Sequence, residues 1–130
     1  MIVDGSALIA ILLQEPEANR IDTVLVGCSE PLMSAGSFLE TSMVSLRQRG
    51  ADGLKDLDTL IARFGIRVVA FTESQALIAR RAFERYGKGR HPAHLNFGDC
   101  IAYALAKESG EELLFKGTDF GLTDVAVAVY

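Results

Sequence analysis

Cysteine is scarce in this 130-residue chain: Cys28 and Cys100 lie far apart, and neither belongs to a Cys-x-x-Cys pair. A thiolate zinc site therefore has no support, and a reduced, cytoplasmic setting is expected. Basic residues are missing from the start, Arg20 being the first. The apolar run Ala7 to Leu13 thus has no cationic leader and is far too short to cross a bilayer, so no membrane role is expected. No Gly-x-x-x-x-Gly-Lys loop is present, which argues against a P-loop nucleotide hydrolase. Nor is there a repeat, linker or low-complexity stretch. Positive charge is outnumbered, with 13 Lys and Arg against 17 Asp and Glu and a net charge of −4. Bulk charge therefore repels polyanions, and an anionic substrate needs a local basic strip or a bound cation. Apolar content is ample, at 49% hydrophobic residues with a mean hydropathy of +0.23. It excludes a disordered or collagen-like chain and suffices for one domain spanning residues 1–130.

Short apolar runs alternate with helical periodicities. Met1 to Val3 reads as a strand closed by Asp4-Gly5-Ser6, and Ala7, Leu8, Ile11 and Leu12 recur behind it at helical spacing. Glu15-Pro16-Glu17 stops that helix and starts a second, Ala18 to Val26. Pro31 to Ser34 predicts a buried strand, followed by a helix from Ala35 to about Arg49 that Gly50 ends, and then an amphipathic helix from Ala51 to Phe64. Arg67 to Phe71 predicts a third strand, with Thr72 capping a helix from Glu73 to about Tyr86. Gly87 to Pro92 reads as a basic, flexible loop. Asn96-Phe97-Gly98-Asp99 opens a helix to about Ser109, Leu113 to Phe115 makes a fourth strand, and Val125 to Val129 offers a fifth. The alternation predicts an α/β fold in three layers, α/β/α, around a parallel sheet of four to five strands.

In such a sheet, ligands collect beyond the carboxyl ends of the strands. Asp4 stands there, directly after the first strand, where an N-cap alone would also explain it. Asp119 follows the fourth strand in the same way, and turn chemistry accounts for it equally well. Asp99, in the first turn of its helix, gains from the helix dipole, yet Ala102, Tyr103 and Ala106 make it border an apolar face. Glu40 repeats the anomaly, with Met43 and Val44 beside it and Arg47 two turns on. Asp124 reads as a surface-loop residue. Each local explanation covers one acid; none covers several acids converging at one end of a sheet. Clustered carboxylates repel unless something positive sits between them. Oxygen donors without clustered His or Cys select hard divalent cations such as magnesium or manganese, and His91 and His94 share a loop unsuited to ligation. A cation held by carboxylates, with open positions for water, suits phosphodiester hydrolysis.

Ile2-Val3-Asp4-Gly5-Ser6-Ala7-Leu8, Glu40 in the third helix, Leu95-Asn96-Phe97-Gly98-Asp99-Cys100 and Leu114-Phe115-Lys116-Gly117-Thr118-Asp119-Phe120 together resemble a PIN-domain ribonuclease of the VapC toxin type. The resemblance spans essentially the whole chain. It implies a magnesium-dependent endoribonuclease, with Mn2+ as a substitute, acting as the toxin of a type II toxin–antitoxin pair, dimeric and inhibited by a cognate VapB antitoxin. It carries the family's metal-site acids to Asp4, Glu40 and Asp99. Relatives often have an acid or Asn where Thr118 stands, so the fourth acid falls to Asp119. On this reading Asp4 and Asp99 bind the principal cation, Glu40 and Asp119 complete its surroundings, and Ser6 and Thr118 orient water or the ligands.

The strip Arg80, Arg81, Arg85, Lys88 and Arg90 holds five of the 13 cations. It reads as a solvated helix face or as RNA phosphate contacts that position without reading sequence. Arg47 competes for the second role. Two other functions remain open at this level. One is a phosphotransfer or phosphatase domain, although Asp4-Gly5-Ser6 lacks the second acid such enzymes show. The other is a catalytically impaired PIN-like module whose work is protein binding.

Overall fold

A computed structural model describes residues 1–130. Four strands and five helices follow one another: β1 (Ile2–Val3), α1 (Gly5–Leu12), α2 (Ala18–Val26), β2 (Leu32–Ser34), α3 (Ala35–Phe64), β3 (Arg67–Val69), α4 (Glu73–Tyr86), α5 (Phe97–Ser109) and β4 (Leu113–Leu114). The strands pair in parallel in the order β3-β2-β1-β4, as the alternation of apolar runs and helices predicts. Successive strand residues face opposite ways, and the two layers divide accordingly. Ile2 and Leu113 pack with Tyr86 of α4 and with Ala102 and Ala106 of α5. Val3, Met33 and Leu114 pack with Ala7 of α1, Ile21 of α2 and Leu57 of α3. Each of the fully buried Val, Leu, Ile and Met side chains among them contributes about 1.5–3 kcal/mol, and burial on both faces explains why β1 and β4 read as unbroken apolar runs, whereas β3 at the sheet edge is largely exposed.

The element boundaries follow local chemistry. Thr72 Oγ1 accepts the Gln75 amide at 3.2 Å to start α4. Gly110 closes α5 in the left-handed region, at φ 70°. Gly50 acts as the sequence suggests. With φ 62° and ψ −148° it lies outside the helical region and divides α3 into the two expected helices, which meet at a kink. The Gly87–Pro92 loop is tied rather than free. Lys88 N donates to Leu95 O at 2.9 Å, Leu95 N donates to Tyr86 O at 3.0 Å, and His91 Nδ1 accepts from Ala93 N at 3.1 Å.

The expected fifth strand reduces to a single bridge, Leu113 to Val127. A short 3-10 helix, Asp119–Leu122, consumes the segment before it and buries Phe120 against Phe115, ring centroids 4.9 Å apart. The bridge still covers the outer edge of β4, an edge that would otherwise offer unpaired backbone groups. No helix is long and apolar enough to cross a membrane. With β2 on one side of β1 and β4 on the other, winding reverses at β1. That is where doubly wound sheets hold ligands, and Asp4 is the first residue beyond it.

Candidate active site

Asp4 leaves β1 through a backbone bond to β4, its N–H donating to Leu114 O at 2.9 Å. It then caps α1: Oδ2 accepts from Ser6 N at 2.9 Å and from the Ser6 hydroxyl. Ser6 Oγ in turn accepts from Lys116 N at 2.9 Å. Ser6 thus ties the acid to the loop after β4. Ser6→Ala is expected to leave the Lys116 amide without its acceptor and to cost about 1–3 kcal/mol. Thermal unfolding reads this as a clear fall in Tm, and an unchanged Tm would mean that the bridge is not formed.

Asp99 enters from α5. It is the third residue of a capping box: Asn96 Oδ1 accepts from Asp99 N at 2.9 Å, and Asp99 Oδ2 accepts from Asn96 N at 2.8 Å. The capping explanation for an acid at this place therefore holds, but it occupies only one oxygen, and Oδ1 forms no hydrogen bond within the protein. Glu40 comes from α3, which starts on Ser34 at the end of β2. Its carboxylate rests against Gly98 of α5.

These three acids line one cleft of about 250 Å³, together with Gly5, Ser6, Ile9, Thr41, Val44 and Asn96. None has a cationic partner; every ion pair in the molecule lies elsewhere. The electrostatic result is uniform. Burial pushes the Asp4 carboxyl up, against the opposing hydrogen bonds from Ser6 and Gly5. Burial and then the Asp4 charge push Glu40 up, while Arg47 pulls it back. Asp99 is pushed up to about 6, chiefly by burial, with the charges of Asp4, Asp119 and Glu40 adding to it against the Asn96 bond. Burial, then the Asp99 charge, also pushes the adjacent Cys100 thiol up to about 11, leaving it unreactive.

The remaining candidates are placed differently. Asp119 and Thr118 are exposed and do not line the cleft, although the Asp119 charge reaches Asp99. Lys116, which also follows β4, turns its ammonium to Glu15 at 3.0 Å. The arginine strip divides. Arg80 lines an apolar groove with Phe71, Phe83 and Phe97, whereas Arg81 and Arg85 flank Tyr86 and Tyr103. Arg85 lies 3.6 Å from Asp124 and 4.8 Å from the Tyr86 ring centroid. Asp124 is exposed as expected, but it also accepts from the Tyr103 hydroxyl and approaches Lys107 at 3.4 Å. The Tyr103 bond, then those cations, hold its carboxyl below the usual range. The sequence reading missed Asn96 as a cleft residue, though an Asn three positions before an acid at a helix start was its signal. Contacts at Gly5 and Gly98 carried no signal in the chain.

The cleft fits a hard divalent cation. Its donors are all oxygens, and no Cys, His, Lys or Arg lines it. No three acidic side chains are drawn close enough to make a closed cage by themselves. That suits an ion such as magnesium, which keeps several waters and takes only one or two carboxylates.

Known proteins share both architecture and sequence. The crystal structure of VapC20 from Mycobacterium tuberculosis, a Sarcin-Ricin loop cleaving toxin, superposes with a TM-score of 0.80 at 14% identity, covering 99% of this chain and 98% of that one. VapBC2 from Rickettsia felis, bound to a DNA fragment from its promoter, gives 0.73 at 13% identity, covering 98% and 96%. At these identities the likeness concerns the fold. In sequence, a ribonuclease VapC of Mycolicibacterium smegmatis is 48% identical over 126 residues, 97% of this chain and 98% of the relative. The PIN domain family model matches residues 1–126, and by that end-to-end match the chain belongs to the PIN-domain family.

Proposed function

We propose that this protein is a divalent-metal-dependent endoribonuclease, the toxin of a type II toxin–antitoxin pair. The observation that carries the reading is one cleft lined by Asp4, Glu40 and Asp99 with no protein cation among them. The nuclease names of the relatives support it. Asp4 and Asp99 would hold the ion, Mg2+ with Mn2+ as a substitute, while Glu40 and Asp119 accept hydrogen bonds from its waters or complete its shell. A bound cation lowers the pKa of water and neutralises charge developing on the transferring phosphoryl group. The chain's own part is placement. Ser6 holds Asp4 through two hydrogen bonds to Oδ2, Asn96 fixes Asp99 while leaving Oδ1 free, and the exposed Thr118 would meet water or phosphate.

RNA is the proposed substrate, in the cytoplasm. Of the four candidate arginines, Arg47, whose charge reaches Glu40, and Arg80 and Arg81 form no ion pair and are free to meet its backbone; Arg85 shares its charge with Asp124. Arg81→Glu is expected to weaken RNA binding and to flatten its salt dependence by about one counterion. An unchanged slope in a binding titration would assign Arg81 to a solvated face. A VapB-type antitoxin and a second copy of the chain are the proposed protein partners. Supporting both is exposed apolar surface, Leu39, Met43 and Leu46 at helical spacing on α3 and Phe97 at 79% exposure.

The deciding experiment maps RNA ends after induced expression and in vitro, with Mg2+ or chelator, for the wild type and Asp4→Ala. Cleavage that needs both the cation and Asp4 is expected. Cation-independent cleavage, or none from the folded wild type, overturns the proposal; the second result would favour a protein-binding module on the same fold.

A further inference from the structure

Glu40 reaches the cleft past a residue that has no side chain. Its carboxylate rests so closely against Gly98 that a Cβ built there would overlap Oε2 and stand 2.5 Å from Oε1. Gly98 lies in the first turn of α5, outside the set of glycines with positive φ. In such a helical conformation alanine is intrinsically favoured over glycine. Neither backbone conformation nor helix propensity therefore accounts for glycine at this place, whereas the space taken by Glu40 does.

Glu40 also has little room to retreat with its helix. One turn before it, Gly36 sits against α5 so that a Cβ there would already be 3.0 Å from Ile101 Cδ1. On the other side, Thr41 Oγ1 fills the space where Gly5 of α1 lacks a Cβ, and it donates to Ser37 O at 2.7 Å. With α3 held against both α1 and α5, a side chain at position 98 would be relieved by turning the Glu40 carboxylate away. Its oxygens are the flexible end of the contact, so the fold tolerates that movement while the cleft does not.

We propose that Gly98 is a positioning residue: by omitting a Cβ it admits the Glu40 carboxylate between α3 and α5 and sets its place beside Asp99. The consequence for cation binding rests on the nuclease reading above, whereas the packing itself is testable without any cation.

The experiment is a set of variants, Gly98→Ala, Glu40→Ala, Glu40→Asp and the doubles, measured by thermal unfolding in chelator and by Mn2+ calorimetry and RNA cleavage. In chelator, Gly98→Ala is expected to raise Tm by a few degrees in the Glu40→Ala background, where helix propensity acts unopposed, and to leave or lower it when Glu40 is present. With Mn2+, Gly98→Ala is expected to weaken binding and cleavage by about tenfold or more. Adding Glu40→Asp, which retracts the carboxylate by one methylene, restores part of the loss, a rescue that a purely structural glycine would not give. An equal Tm change in both backgrounds, or wild-type Mn2+ affinity in Gly98→Ala, overturns the proposal. If the wild type neither binds Mn2+ nor cleaves RNA, the nuclease reading fails while the Tm comparison still decides the role of Gly98.

Discussion

RNA cleavage is expected to disappear in Asp99→Asn while the protein becomes no less stable. Loss of a partner one step removed from an ion already costs 10- to 100-fold in affinity or activity, so replacing a proposed direct ligand should exceed about 10²-fold. Stability runs the other way. Near neutral pH the Asp99 carboxylate is ionised against its environment, its pKa pushed up to about 6 by burial first and then by three neighbouring acids. An amide removes that charge. Its oxygen can still accept from Asn96 N, now 2.8 Å from Oδ2. Allowing for solvent screening, the gain in metal-free protein is about 1–2 kcal/mol, a rise in Tm of a few degrees. Single-turnover cleavage and thermal unfolding in chelator make the two measurements. Retained turnover would remove Asp99 from the site. A fall in Tm would mean that its structural role as a cap outweighs the repulsion.

Divalent cation is expected to stabilise the protein, and the benefit should shrink as pH falls. At a concentration of 100 times Kd, binding to the folded state alone adds about 2.7 kcal/mol. Without cation, the sign follows from proton binding. The folded pKa of Asp99, about 6, lies above the unfolded value of about 3.9. Between these limits the folded state binds more protons, so stability rises as pH is lowered from about 6 to 4 and is flat above 6. Asp4 and Glu40 are raised in the same direction. Metal-free protein should therefore gain stability on mild acidification, and the curves with Mg2+ and with chelator should converge near pH 5, where protons compete for the same oxygens. Scanning calorimetry from pH 5 to 8 checks both limbs. A Tm insensitive to Mg2+ at pH 7.5 would mean that the carboxylates hold no cation.

What the sequence made legible was local. The caps at Thr72 and Asn96 and the stop at Gly110 fix α4 and α5 because each rests on one side chain or one φ angle near its own position. β1 and β4 were legible because both faces are buried, which removes the polar half of the usual alternation. For the cleft, Asp4 stood out as an acid at a strand's carboxyl end, Glu40 and Asp99 as acids bordering apolar faces, and the structure sets them along one cavity. Asp119 was legible as an acid after a strand, but the 3-10 helix that begins with it depends on Phe120 docking on Phe115. The division of the arginine strip was partly readable: at 100° per residue, Arg81 and Arg85 share a helix face that Arg80 leaves. The bond from Tyr103 to Asp124 was not, because it requires a loop to fold onto α5. Nor was the contact of Glu40 with Gly98, since an absent Cβ has meaning only once two helices are side by side.

The pairing of β1 with β4 joins Ile2 to Leu113, and Ser6 is held by the amide of Lys116. The first proposed ligand is therefore fixed through Ser6, whose own contact lies 110 positions further along the chain. A growing polypeptide carries Asp4 on a strand that still lacks one neighbour, with neither α5 nor Asp99 yet made. The cleft therefore does not exist until α5 and the Lys116 loop have joined the sheet. Long-range closure of this kind is slower than local helix formation, so the helices that line the cleft can form before the cleft itself does.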